Sequence, residues 1–113
     1  MIEKYSFGKM DIDSTCYTND LIIYKGIIKS KWWRIKGHNV FVNDIIDYLD
    51  EFKPESVIFG TGKFGLMKVS EEVVNLLEAR HIEAIIEKTG TAWEIYNSMS
   101  VNKNVMGAFH LTC

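Results

Sequence analysis

Gly60-Thr61-Gly62-Lys63-Phe64-Gly65 follows the apolar run Val57-Ile58-Phe59 in the pattern G-x-G-x-x-G, which lets backbone N–H groups approach a phosphate. Glu87 lies near the end of the next apolar run, where an acid would meet a ribose. A dinucleotide site also needs its helix to begin inside the glycine turn, with the N-terminus facing the pyrophosphate. The best helix start here is Ser70, although Leu66, Val69, Val73 and Leu77 also keep helical phase. The N-terminal part offers no second mononucleotide half. The glycines therefore favour a tight turn beside packed backbone over a dinucleotide site, and the turn stays compatible with a smaller anion.

A second constellation is basic and aromatic. Lys25, Lys29, Lys31, Arg34 and Lys36 lie between Asp20 and Asp44 with no acid among them, and Trp32-Trp33 sit inside the run. Lysines meeting phosphates and an indole stacking on a base would suit a nucleic acid strand. The same residues on a strand would make a solvated face that discourages edge pairing, with one indole packed inward. They would equally suit a protein partner, because Trp and Arg dominate interface hot spots.

The histidines have no metal spacing, and Cys16 and Cys113 form no C-x-x-C pair, so neither metal nor disulfide is expected and both thiols are read as free. His110-Leu111-Thr112-Cys113 places an imidazole and a thiol at the chain end. In an extended strand the two face nearly opposite ways, and no third orienting group is marked. His38 joins His110 only if the fold brings it there. No cofactor is expected, and nothing marks the chain as an enzyme or excludes it.

The elements that must position these residues follow from periodicity. From Met1 to about Val42 the apolar period is two: Tyr5 and Phe7, then Met10 and Ile12, Leu21 to Tyr24, and Ile27 to Ile35. Gly8-Lys9 suits a bulge, Asp13-Ser14-Thr15 and Lys25-Gly26 suit turns, and Gly37-His38-Asn39 suits the close of a hairpin. Asn43 then caps a helix carrying Ile45, Ile46, Leu49 and Phe52 on one face, and Pro54 stops it. A strand at Val57-Ile58-Phe59 follows, then a helix from Ser70 with Glu71 and Glu72 in its first turn and Val73, Leu76 and Leu77 inside. Ile82 to Ile86 is the next strand. Thr91 and Glu94 form a capping box for a helix lined by Ala92, Ile95, Tyr96 and Met99, and Val105 to Leu111 is the last strand.

These elements predict an α/β fold: an N-terminal β region followed by β-α-β-α-β, a compact mixed sheet with helices packed on it. If the last three strands run parallel, Gly60 to Gly65, Lys88 to Thr91 and His110 to Cys113 emerge at one rim, where two helix N-termini also point. At 113 residues, with 47% hydrophobic and 25% charged residues and one proline, residues 1–113 make one ordered domain. The opening Met1-Ile2-Glu3-Lys4 leads into alternating residues with no apolar signal core or spanning run, so a cytoplasmic protein without membrane attachment is expected. The net charge of -2 provides no global attraction to nucleic acid.

Five segments taken in order carry a resemblance: Tyr5-Ser6-Phe7-Gly8, Trp33-Arg34 with Gly37-His38, Val57 to Gly62, Thr89 with Ala92 and Tyr96-Asn97, and His110 to Cys113. Together they resemble the MTH-938-like family, whose members include archaeal and bacterial proteins of unknown function, an adipogenesis-associated animal protein and a mitochondrial complex I assembly factor. The resemblance spans nearly the whole chain. It implies a compact α/β fold with a mixed central sheet, and it carries no established catalytic residues. Members differ at the C-terminal His-x-x-Cys.

The assembly-factor relative implies a non-enzymatic module that meets a protein partner or forms a homodimer, with Lys29, Lys31, Trp32, Trp33 and Arg34 as anchors. The alternative is a small anionic-ligand binding site or an enzyme site at Gly60, Thr61, Gly62, Thr89 and His110. Nucleic acid binding along Lys25 to Lys36 is the weaker third expectation.

Overall fold

Six consecutive buried residues, Val105–His110, form the central strand, and the rest of the chain is arranged around it. The computed structural model describes residues 1–113. In chain order the elements are β1 (Ile2–Ser6), β2 (Lys9–Ile12), β3 (Thr15–Tyr17), β4 (Leu21–Tyr24), β5 (Ile27–Ser30), β6 (Asn39–Val40) and α1 (Val42–Phe52), followed by β7 (Ser56–Thr61), β8 (Lys68–Val69), α2 (Glu71–Ala79), β9 (Glu83–Glu87), α3 (Thr89–Ser100) and β10 (Val105–His110).

The five-stranded sheet has the order β5-β4-β10-β7-β9. β10 runs parallel to β7, and β7 parallel to β9, with α2 and α3 as the crossovers between them. On its other side β10 pairs antiparallel with β4, and β4 with β5 through the Lys25-Gly26 turn. The expected mixed sheet is therefore observed, and the final strand, whose direction the sequence left open, runs parallel to β7. β1, β2 and β3 form a separate antiparallel meander.

Because side chains alternate along a strand, both faces of this sheet must be covered. One face carries Ile22, Val57, Phe59, Met106 and Ala108 and is closed by Trp32, Ile45 and Leu49 of the α1 region and Val73 and Leu77 of α2. The other carries Leu21, Ile23, Ile58, Val105 and Phe109 and is closed by Ala92 and Tyr96 of α3 and by Ile2, Met10 and Ile12 of the meander. His110 falls on the first face, in step with Met106 and Ala108.

Several boundaries differ from the sequence-based expectations. The strand expected over Ile27 to Ile35 ends at Ser30, because Lys31 turns the chain with φ +59°. No hairpin closes at Gly37-His38-Asn39; Asn39 and Val40 instead pair parallel with Lys68 and Val69. Gly8, at φ +77°, lies in the turn between β1 and β2, and the register irregularity falls between Ile2 and Lys4. α1 starts one residue before Asn43. Its start is fixed by the buried Asp44 carboxylate, which accepts the Phe41 N–H at 2.8 Å. Lys53 ends α1 in the left-handed conformation just before Pro54, and Ser70 caps α2 by accepting the Val73 N–H. α3 begins at Thr89, two residues before the expected cap, with the Thr91 and Ala92 N–H groups bonded to the Lys88 carbonyl.

Candidate functional site

The β4–β10 register pairs Leu21 with Phe109, so the flanking residues Asp20 and His110 fall side by side where β4 begins and β10 ends. Asp20 Oδ1 accepts the Leu111 N–H at 2.8 Å, and Oδ2 accepts from His110 Nδ1 at 2.7 Å and Arg34 Nη2 at 2.6 Å. The Arg34 and His110 side chains are only 3% and 6% exposed. Burial alone would raise the Asp20 pKa. The bonds from His110, the Leu111 N–H and Arg34 outweigh it and hold the carboxyl below the ordinary carboxylate range.

Arg34 reaches this position through a loop pinned by two aspartates. After the turn at Lys31, the Trp32 N–H donates to the Asp20 carbonyl at 2.8 Å, and its indole Nε1 donates to the Asp44 carbonyl at 2.8 Å. The Asp44 carboxylate also accepts the Ile35 N–H at 3.2 Å. Trp32 is thereby buried, and Arg34 lies over its ring with Cζ 4.5 Å from the centroid. Nε and Nη2 of Arg34 both donate to the Gly37 carbonyl.

This geometry assigns the imidazole tautomer. An ionised carboxylate only accepts, so the 2.7 Å contact requires a proton on Nδ1. In the neutral ring Nε2 then carries the free lone pair. Nε2 has no hydrogen-bond partner, and neither has Arg34 Nη1, although both atoms are buried. One is a base and the other a charged donor. Beside them opens a cleft of about 450 Å³, lined on the β4 side by Thr18, Asn19 and Asp20, and otherwise by Lys31 to Arg34, Gly37, His38, His110 and Thr112. Its volume lies within the range of small-molecule sites, which run from about 300 to 1,000 Å³. The His38 ring, on an exposed residue, stands edge-on to His110 with centroids 5.6 Å apart.

The glycine turn and α3 start do converge with the chain end, as their parallel strands require, but they make a closed joint. Thr89 Oγ1 donates to the His110 carbonyl at 2.6 Å and accepts the Gly62 N–H at 2.8 Å, while Thr61 Oγ1 donates to the Glu87 carbonyl. The Lys63 N–H donates to the Thr112 carbonyl. Gly60 lies so close to Phe109 and Thr89 that an added Cβ would stand 2.6 Å and 2.8 Å from them. At Gly62, with φ +99°, a Cβ would come within 2.3 Å of the Cys113 backbone and 2.8 Å of His110 Cδ2. The turn therefore seats the imidazole, and the hydroxyls of Thr61 and Thr89 are spent inside the protein. The opening lies on the β4 side of His110.

The basic run is divided. Lys29 sits on β5 and pairs with Glu51 at 3.4 Å, whereas Lys31, Trp33 and Arg34 line the cleft with His110. Trp32, expected as a partner anchor, is 3% exposed and belongs to the core; Trp33 is 81% exposed. The two separate candidate sites thus meet at His110. Sequence reasoning missed Asp20 and Asp44, which appeared only as the acids bounding the basic run.

Comparison with known proteins agrees with this fold. The structure superposes on a conserved hypothetical protein, PH1505, from Pyrococcus horikoshii OT3, with a TM-score of 0.88, 26% identity and coverage of 100% of this chain and 99% of that one. It also superposes on the protein MT938, with a TM-score of 0.79, 22% identity and coverage of 100% and 98%. A third match, described as an outer membrane protein from Bartonella henselae, has a TM-score of 0.83, 22% identity and coverage of 99% and 94%. In the present chain no helix is long and apolar enough to cross a membrane. No curated protein matches the sequence. The family model for proteins of unknown function DUF498/DUF598 matches residues 2–110, and the chain belongs to that family, with the MTH-938-like fold that its sequence resembled.

Proposed function

We propose that the cleft between Asp20, Arg34 and His110 binds a small anionic ligand. The supporting observation is the buried Arg34 Nη1, a charged donor without a partner, which would satisfy itself on an acceptor entering the cleft. Lys31 and Arg34 bring two positive charges against the single carboxylate of Asp20, so a monoanion balances the site. Of the lining residues only Trp32 and Trp33 are hydrophobic, which favours a compact polar ligand over an extended apolar one. Thermal unfolding with phosphate, acetate and malonate at matched ionic strength tests the proposal. An anion present at a hundred times its Kd adds about 2.7 kcal/mol of stability, and this gain should vanish in Arg34→Gln. No stabilisation by any anion of the panel would sink it.

The exposure of Trp33 and of Ile35, at 81% and 73%, supports a second reading in which this lip of the cleft meets a protein partner. Capture of a partner from the native cell should then be lost in Trp33→Ala, whose unfolding transition stays that of the wild type. Capture retained in that variant would remove the reading.

A further inference from the structure

We propose that Asp20 and His110 form a working acid–base pair, with His110 as a catalytic residue that removes a proton from carbon next to the carbonyl of a small oxo acid. This inference rests on the anion-binding reading above and adds chemistry to it.

Three features of one cluster carry it. The proton on Nδ1 is held by a buried carboxylate at 2.7 Å, which leaves the Nε2 lone pair free and orients the ring. The backbone of His110 is tied by Thr89 at 2.6 Å and its ring lies against Gly62, so the base cannot swing away. Arg34, within 3.2 Å of the same imidazole, keeps Nη1 free for a second atom of the ligand. His110 Nδ1 and Arg34 Nη2 face each other at 3.2 Å, so a base and a charged donor stand on adjacent side chains, and these are the two groups an enolisation needs.

The step balances without an oxidant or co-reactant. Nε2 takes the proton from the carbon adjacent to the carbonyl, and the electron pair of that C–H bond becomes the carbon–carbon double bond. The carbonyl π pair moves onto oxygen, whose negative charge faces Arg34 Nη1. Lys31 at the cleft wall meets the carboxylate. The imidazolium then returns its proton to carbon or to oxygen, so the net change is hydrogen exchange or tautomerisation. Asp20 is a positioning residue throughout: it stabilises the imidazolium and touches no substrate. Nε2 is buried, so substrate reaches it only when a neighbour such as the exposed His38, edge-on to His110, turns aside.

The test is hydrogen exchange in D2O, followed by the loss of proton signals next to the carbonyl of pyruvate and 2-oxobutyrate, with the full chain as catalyst. Exchange should exceed the buffer rate and fall by about 10²-fold or more in His110→Gln, with stabilisation of the wild-type protein by phosphate measured in parallel. Asp20→Asn, assayed below its unfolding transition, should lower kcat without raising KM, because Arg34 remains and is freed of its internal counter-charge. Exchange at the buffer rate with both oxo acids, or equal exchange by His110→Gln through lysine amines, would overturn the catalytic assignment. Stabilisation by the anions, retained alongside either result, would leave the binding proposal standing; its absence would remove both.

Discussion

Replacing Asp20 with asparagine keeps the shape of the side chain and removes the one charge that organises the cleft. Oδ1 can still accept the Leu111 N–H at 2.8 Å, so the backbone joint survives. The Oδ2 position becomes an amide donor facing Arg34 at 2.6 Å and His110 at 2.7 Å. The imidazole can respond by moving its proton to Nε2 and accepting from the amide. Arg34 cannot respond, since a guanidinium only donates, and it is left with the Gly37 carbonyl alone. Leaving a buried charge unpaired costs about 3–5 kcal/mol; the surviving Gly37 bonds and the adaptable imidazole set the expectation near the low end, about 3 kcal/mol. For a domain of this size that lowers Tm by roughly 12 °C or more. Urea unfolding followed by far-ultraviolet circular dichroism measures the loss at constant m-value. Arg34→Met removes the stranded charge, so the double variant should lose less than the sum of the two single variants by about 1–3 kcal/mol. An Asp20→Asn cost below about 1 kcal/mol, with additive single variants, would refute a buried, tightly coupled pair.

Four further outcomes follow from the same geometry. Thr89→Val should cost about 1–3 kcal/mol in chemical denaturation, because it strands the Gly62 N–H and removes the donor to His110, whereas Thr89→Ser should stay near wild type. Gly62→Ala, strained by φ +99° and forced against the Cys113 backbone, should be less stable than Gly90→Ala, where an added Cβ meets nothing; equal melting temperatures would remove the turn from its structural role. Asp20 has a folded pKa below its unfolded value of about 3.9, so the unfolded state binds more protons there and stability falls as pH drops through that range. Acid titration should show a shallower fall in Asp20→Asn, and unchanged slopes would show that Asp20 is not the group responsible. Tyr96 is pushed up to about 12 by burial, so its stabilising contribution is complete below its unfolded value and lost as pH rises toward about 12; Tyr96→Phe should flatten that alkaline loss.

Periodicity and crossover logic made most of this fold legible in the sequence. Val57 to Phe59, Ile82 to Ile86 and Val105 to Leu111 read as strands, with Val73, Leu76 and Leu77 the inner stripe of α2, because short apolar runs and a 3.6-residue stripe need no distant information. The segment from Lys31 to Phe41 was not legible. Its conformation depends on groups outside the segment: the Asp20 carbonyl holds the Trp32 N–H, the Asp44 carbonyl holds the Trp32 indole, and the Asp44 carboxylate holds the Ile35 N–H and the Phe41 N–H. Such bonds leave no periodic trace, so the run from Ile27 read as one strand. For the same reason Asp20 stood out only as an acid beside a basic stretch, and the rim around Thr61 and Thr89 looked open when its hydroxyls were already committed. Arg34 and His110 were each singled out, but only the antiparallel register of β4 and β10 shows that they share a carboxylate.

That register also explains why the cluster forms at this end of this strand. In an all-parallel sheet every strand delivers its C-terminal flank to the rim, so the groups gathered there come from residues that follow strands. β4 runs the other way and delivers its N-terminal flank, which places the residue before a strand beside the residue that ends one. The ladder stops at Leu21, and the Leu111 N–H donates to the Asp20 side chain in place of a backbone carbonyl. A carboxylate spent this way has one oxygen fixed by the sheet, which sets its rotamer and aims the other at whatever crosses the strand end. Arg34 and His110 are what cross it. Moving the acid to Asn19 in an Asp20→Asn, Asn19→Asp variant should therefore fail to restore stability, because the carboxylate that accepts the Leu111 N–H belongs to the residue directly before Leu21, where the ladder stops; restoration would mean that charge alone, independent of the ladder, holds the cluster together.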